Sequence, residues 1–188
     1  MTKYLLIVLI SIIPIKLVNS NNMENNINLI LFTHALRHVL FYEGFSDTVY
    51  TLNGQKLFGF GSSADIYTPP KQITVNNSVV LTSNIINRDI LQLQEEYPFL
   101  EYHQYLALSL LAYRAGITKL RNSDVFKDIV QNRDPYEQWI KWKYYTVSGS
   151  LVENPKMLAR CEFEYQLFSG EFAKIFADSN KFNLYLRV

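Results

Sequence analysis

Glu43 stands in a Glu-Gly step, with Phe41 and Tyr42 just before it and Tyr50 seven residues after it. A carboxyl group among aromatic side chains is poorly solvated. That favours its protonated form and suits it to hand a proton to a leaving oxygen. Cleavage of a glycosidic bond uses such a donor together with a second carboxylate, which acts as base or nucleophile. The chain then reads YTLNGQKLFGFG from Tyr50 to Gly61 and offers no second carboxylate in that run. Asp47 is four residues from Glu43. If the helix continued, the two groups would lie one turn apart on one side of the bond, which is the wrong arrangement. Asp65 follows the Gly59-Phe60-Gly61 segment, and nothing in the sequence fixes its place.

Other residues suggest chemistry more weakly. His34 and His38 are one helical turn apart, a spacing that can bind metal, but no third ligand is evident and a solvated helix face is the plainer reading. Trp139 and Trp142 suit stacking on sugars, or a core. Asn76-Asn77-Ser78 fits the glycosylation pattern. Cys161 is the one cysteine, so no internal disulfide can form. It reads either as an inert buried residue or as a cross-link to another copy of the chain. No phosphate loop, nucleophile elbow or paired-cysteine motif occurs, so neither a cofactor nor a metal is expected. Charge is balanced, 18 Lys+Arg against 17 Asp+Glu, which gives no footprint for nucleic acid.

The elements that must position these groups are mostly helical. Residues 1–27 read as a hydrophobic leader or arm followed by a linker. Lys3 precedes an apolar stretch to Ile15, and Val18-Asn19-Ser20 suits a leader-peptidase cut. Residues 21–27 are polar and Asn-rich. Apolar residues at helical spacing then predict a helix from Asn28 to Tyr42 that ends near Glu43. Asn53-Gly54 between short β-like runs predicts a hairpin. Thr74 is a plausible N-cap for a helix that ends before Pro98. The helix from Glu101 to Ala115 is apolar on nearly all sides, as a central buried helix is, and Gly116 suits its C-cap. Helices near 123–132, 134–143 and 154–168 follow, with a loop at Ser148-Gly149. Residues 171–188 form an apolar C-terminal extension, and Asn183–Val188 alternates like an edge strand.

This order of pieces resembles the phage-type lysozymes, the endolysins of glycoside hydrolase family 24. The matching features are the Glu-Gly step, Tyr50, the Gly59-Phe60-Gly61 strand end, and Ile73-Thr74 before a helix carrying Asp89. They continue with Gln104, Ala107-Leu108-Ser109, Tyr113-Arg114-Ala115-Gly116, Ser123, Trp142, Gly149, Leu158, Arg160 with Glu164, and Leu167-Phe168-Ser169-Gly170. The resemblance implies a mainly α, α+β lysozyme-like fold over residues 28–170, with a small N-terminal β-hairpin lobe and a helical C-terminal lobe. It makes Glu43 the general acid, or its vestige. It places Leu52, or Asn53 in the shorter hairpin, where the family has its catalytic Asp, and Leu57 where it has Thr. Arg114 and Arg160 become candidate ion-pair partners of Glu43, and Cys161 stands where a second Arg is usual.

Two functions follow as expectations. The first is a non-catalytic protein that self-assembles through its apolar arms and Cys161 and is not an enzyme. It would be similar in role to the polyhedrins that form viral occlusion bodies, as in nudiviruses, and would reside in such a body in an infected host cell. The second is a secreted peptidoglycan muramidase, or a sugar-binding relic that keeps Glu43, with a polysaccharide as its partner.

Overall fold

The computed structural model describes residues 22–147 and 150–176. The leader expected over residues 1–20, the loop expected at Ser148-Gly149 and the strand expected at Asn183–Val188 lie outside the described residues. The architecture is mainly helical, with a small N-terminal sheet and a helical C-terminal lobe, and the chain divides into two compact units at Asn84/Ile85.

The first unit begins with α1 (Asn22–Glu43). The helix starts inside the stretch that composition marked as a linker. Glu24 in its first turn favours a helix start, and residues 24–26 are exposed, which is why they are polar. Leu31, Ala35, Leu36 and Val39 carry the 3.6-residue period into the core, each 2% exposed or less. The helix stops at Gly44, whose φ of +70° no ordinary residue adopts cheaply and whose N–H donates to the Leu40 carbonyl. Next come β1 (Ser46–Leu52), β2 (Gln55–Gly59) and the two-residue β3 (Ser62–Ser63), antiparallel in the order β1-β2-β3. Asn53 and Gly54, at φ +51° and +79°, make the two-residue turn that pairs Leu52 with Gln55. Asp47 is therefore on β1, with no helical turn linking it to Glu43, because Gly44 has already ended the helix.

The sheet is fitted closely to the start of α2 (Val75–Glu96). Thr74 caps that helix reciprocally: its Oγ1 accepts from the Asn77 N–H at 3.3 Å and its own N–H donates to Asn77 Oδ1 at 2.9 Å. Gly59, at φ +60°, backs onto Ser78, where an added Cβ would lie 2.6 Å from Oγ and 2.8 Å from Cβ. Gly59→Ala should therefore lose about 3 kcal/mol, collision and left-handed strain together, read as a lower urea midpoint. Gly44→Ala faces open space and should lose only the conformational cost, about 1 kcal/mol.

The second unit is built around α3 (Tyr102–Ala115), in which every residue from Tyr105 to Ala112 is buried. Glu101 and Gln104 close a capping box at its start, and Gly116 caps its end. Four short pieces follow: α4 (Ile117–Arg121), α5 (Asp124–Val130), α6 (Tyr136–Ile140) and a 3-10 turn (Lys141–Lys143). Ser123 caps α5 by accepting from the Phe126 N–H. A hairpin, β4 (Tyr144–Val147) with β5 (Ser150–Glu153, exposed throughout), leads into α7 (Pro155–Ser169), capped by Asn154 and closed by Gly170. A helical turn over residues 172–176 seats Ile175 in the core.

Candidate functional site

Glu43 is the last residue of α1. A helix leaves its carbonyl ends partly negative there, so the helix's own field disfavours a carboxylate at that place. The hairpin holds it from the other side. An added Cβ on Gly61, at φ +79°, would lie 3.1 Å from Glu43 Oε2, so the carboxylate rests where only a glycine backbone leaves room. Tyr50 is close enough to feel it: burial first, and the Glu43 charge second, push the Tyr50 phenol above its usual range. Aromatic contacts continue around the helix end. Phe41 meets Tyr42 edge-on at 5.1 Å, Tyr42 meets His38 at 4.5 Å, and Phe45 meets Phe60 at 5.4 Å.

Strand parity decides what else shares this face. Residues two apart on a strand, and residues directly opposite on its partner, point the same way. Tyr50 pairs with Leu57 and Leu52 with Gln55. The face carrying Tyr50 therefore also carries Leu52, Gln55 and Leu57, whereas Phe58 turns the other way into the core. Of the two positions weighed for the missing carboxylate, Leu52 lies on the Tyr50 face and Asn53 lies in the turn. Gln55 was not singled out from the sequence, although counting the hairpin parity from Tyr50 finds it.

The other candidates separate. His38 is buried in α1, and among the described residues no group of three or more His, Cys, Asp or Glu is placed to hold a metal ion. Trp139 is fully buried, a core residue, while Trp142 is half-buried. Asp65 lies in the turn after β3, its N–H donating to Ser63 Oγ at 3.3 Å. Arg114 and Arg160 both converge on the fully buried Glu164: Arg114 Nη2 reaches Oε2 at 3.1 Å and Arg160 Nε reaches Oε1 at 3.0 Å.

Cys161 corrects the expectation of a cross-link. Its thiol is fully buried, with Arg114 guanidinium nitrogens 3.7 and 3.8 Å from Sγ, and burial pushes its pKa up. The chain has no second cysteine, and this one is out of reach of another copy, so disulfide formation and Cys161-mediated assembly are both ruled out. The sequence left both readings of a lone cysteine open, and packing of α7 selects the inert one.

A helix-end glutamate lodged against a Gly-x-Gly hairpin, followed by a helical lobe with a buried central helix, has clear structural relatives. The muramidase domain of SpmX from Asticaccaulis excentricus superposes with a TM-score of 0.61 at 17% identity, over 71% of this chain and 93% of that one. The fold is lysozyme-like. An endolysin from Escherichia coli O157:H7 phage FAHEc1 gives a TM-score of 0.57 at 20% identity, over 72% and 90% of the two chains. The active form of the P1 phage endolysin Lyz gives 0.55 at 16%, over 74% and 84%. No family model matches the chain, and no curated protein matches it in sequence. The likeness is thus one of lysozyme-like fold, and what the site does has to be argued from its own residues.

Proposed function

We propose that the chain is a secreted glycan-binding protein of the lysozyme type, directed at the β-linked amino-sugar polymer of peptidoglycan, with Glu43 as proton donor to the leaving oxygen. The observation that carries this reading is the seat of Glu43: a carboxylate at a helix C-terminal end, whose field disfavours it, lodged against Gly61 and sensed by Tyr50. Hydrolysis is slow in this reading. The hairpin face that carries Tyr50 presents Leu52 and Leu57, which neither activate water nor attack carbon, and a missing positioned base lowers the rate by about 10²–10⁴. The expectation of a self-assembling matrix protein rested on the lost catalytic positions, the two apolar ends and Cys161. The thiol is buried, and most of those ends lies outside the described residues.

The test compares wild type with Glu43→Gln for binding to insoluble peptidoglycan and for slow release of reducing sugar. The expected result is binding retained in both and release at least about tenfold lower in the variant. Binding in neither protein would overturn the glycan reading. Equal release by both would remove Glu43 from the chemistry.

A further inference from the structure

Asn76-Asn77-Ser78 is the one Asn-x-Ser/Thr triplet in the chain, and the site around Glu43 makes no use of it. It occupies the first turn of α2, within the first unit. Asn76 and the residues one and two turns on, Val80 and Asn84, are all exposed and form the solvent stripe of the helix. Ser78, Val79 and Thr82 are buried on the other side.

The two asparagines are used differently. Asn77 works for the fold: its Oδ1 accepts from the Thr74 N–H at 2.9 Å, and its Nδ2 donates to the Gln72 carbonyl at 2.8 Å. The Asn76 side chain makes no hydrogen bond among the described residues. An uncommitted amide on a solvent stripe has room for a bulky polar group, and a group attached there displaces no packed side chain. Ser78 is the reverse. It is 2% exposed, and its Oγ lies against Gly59. Residues two apart on a helix stand about 200° apart around its axis, so a folded α2 that turns Asn76 outward turns Ser78 inward. A transferase that must engage the amide and the hydroxyl together therefore meets both only before this turn folds.

We propose that Asn76 carries an N-linked oligosaccharide, added in the secretory pathway before α2 forms. In that step Asn76 Nδ2 bonds to the anomeric carbon of a lipid-pyrophosphate-linked oligosaccharide. The bond from that carbon to the pyrophosphate oxygen breaks. The lipid pyrophosphate leaves with the electron pair, and one Nδ2 proton passes to a base of the transferase. Once the chain folds, Ser78 closes against Gly59 and the oligosaccharide stands on the exposed stripe. This goes beyond the function proposed above and shares with it only the secretory route.

The experiment expresses the full chain, with no added leader, in cultured animal cells and records intact mass before and after treatment with a peptide-N-glycosidase. Wild type from the medium should carry excess mass that the enzyme removes, leaving an aspartate at position 76 in the peptide map. Asn76→Gln should be secreted bare, with the urea midpoint of enzymatically stripped wild type, because that side chain is exposed and packs on nothing. Ser78→Ala should also be bare although it keeps Asn76. Wild type found bare in the medium, or held in the cell without sugar, would overturn the site, as would sugar on Ser78→Ala. The order of events has its own readout. Bare folded chain mixed with solubilised transferase and its lipid-linked donor should take no sugar, whereas the same chain diluted in from urea should take it. Equal modification of both would overturn addition before folding. The peptidoglycan assay is run on the same secreted protein: binding by a bare chain sinks the modification alone, and a glycosylated chain that does not bind sinks the proposed function alone.

Discussion

Glu164→Gln is expected to lower folding stability by about 3–5 kcal/mol, the usual loss when one partner of a buried ion pair is removed. Glu164 is fully buried, and so nearly is Arg160, at 2% exposure. Its Oε1 takes the Arg160 Nε, and its Oε2 takes Arg114 Nη2 at 3.1 Å and the Trp139 indole N–H at 3.4 Å. Glutamine has the same shape but removes the negative charge and turns one acceptor into a donor facing a guanidinium. Both guanidinium groups then lose the counter-charge they share. The measurement is the urea midpoint at constant m-value. Replacing the helical pair together, Arg160→Met with Glu164→Leu, should lose less than Glu164→Gln alone, because the buried charge leaves with its partner. A loss below about 1 kcal/mol for Glu164→Gln would mean that the carboxylate is not what holds α3, α6 and α7 together.

The pair also shows which parts of the fold were legible in the sequence. Glu164 is four residues after Arg160 on a helix bracketed by Asn154 and Gly170, so spacing alone brings them together. The central helix announced its burial by being apolar on all sides, and Asn53-Gly54 announced a turn that only positive φ can make. These signals are local: period, cap and turn chemistry. Contacts decided by tertiary packing were not legible. Arg114 has no sequence signal that directs it to Cys161 and Trp142, about thirty to fifty positions away, and a lone cysteine such as Cys161 leaves burial and cross-linking both open. The hairpin of β4 and β5 was missed because its residues alternate weakly and those whose burial is described, Tyr144 and Ser150–Glu153, are all exposed. The start of α1 was missed because an exposed helical turn has the composition of a linker. The site divides the same way. Glu43 and the Gly-x-Gly segment stand in the sequence, whereas the choice between Leu52 and Asn53 needed the strand register.

That choice leads to the second expected result, a gain of activity: Leu52→Asp should raise peptidoglycan hydrolysis by about 10²-fold over wild type, the lower end of what a positioned general base contributes. Leu52 is 54% exposed at the end of β1, so the core does not depend on it. It shares its face with Tyr50, whose phenol senses the Glu43 charge, so a carboxylate placed there comes from the hairpin and not from the helix that bears Glu43. This is the arrangement two groups need if they are to reach a glycosidic bond from different elements. Asn53→Asp is the control. It adds the same charge one residue on, in a turn residue at φ +51°, and should gain little. The gain in Leu52→Asp should vanish when Glu43→Gln is added, since the new group acts only with a proton donor opposite. If Asn53→Asp gains and Leu52→Asp does not, the parity argument has picked the wrong position. If neither gains while both still bind peptidoglycan, the site lacks more than a carboxylate, and Leu57, directly across from Tyr50, becomes the next residue to restore, as Leu57→Thr.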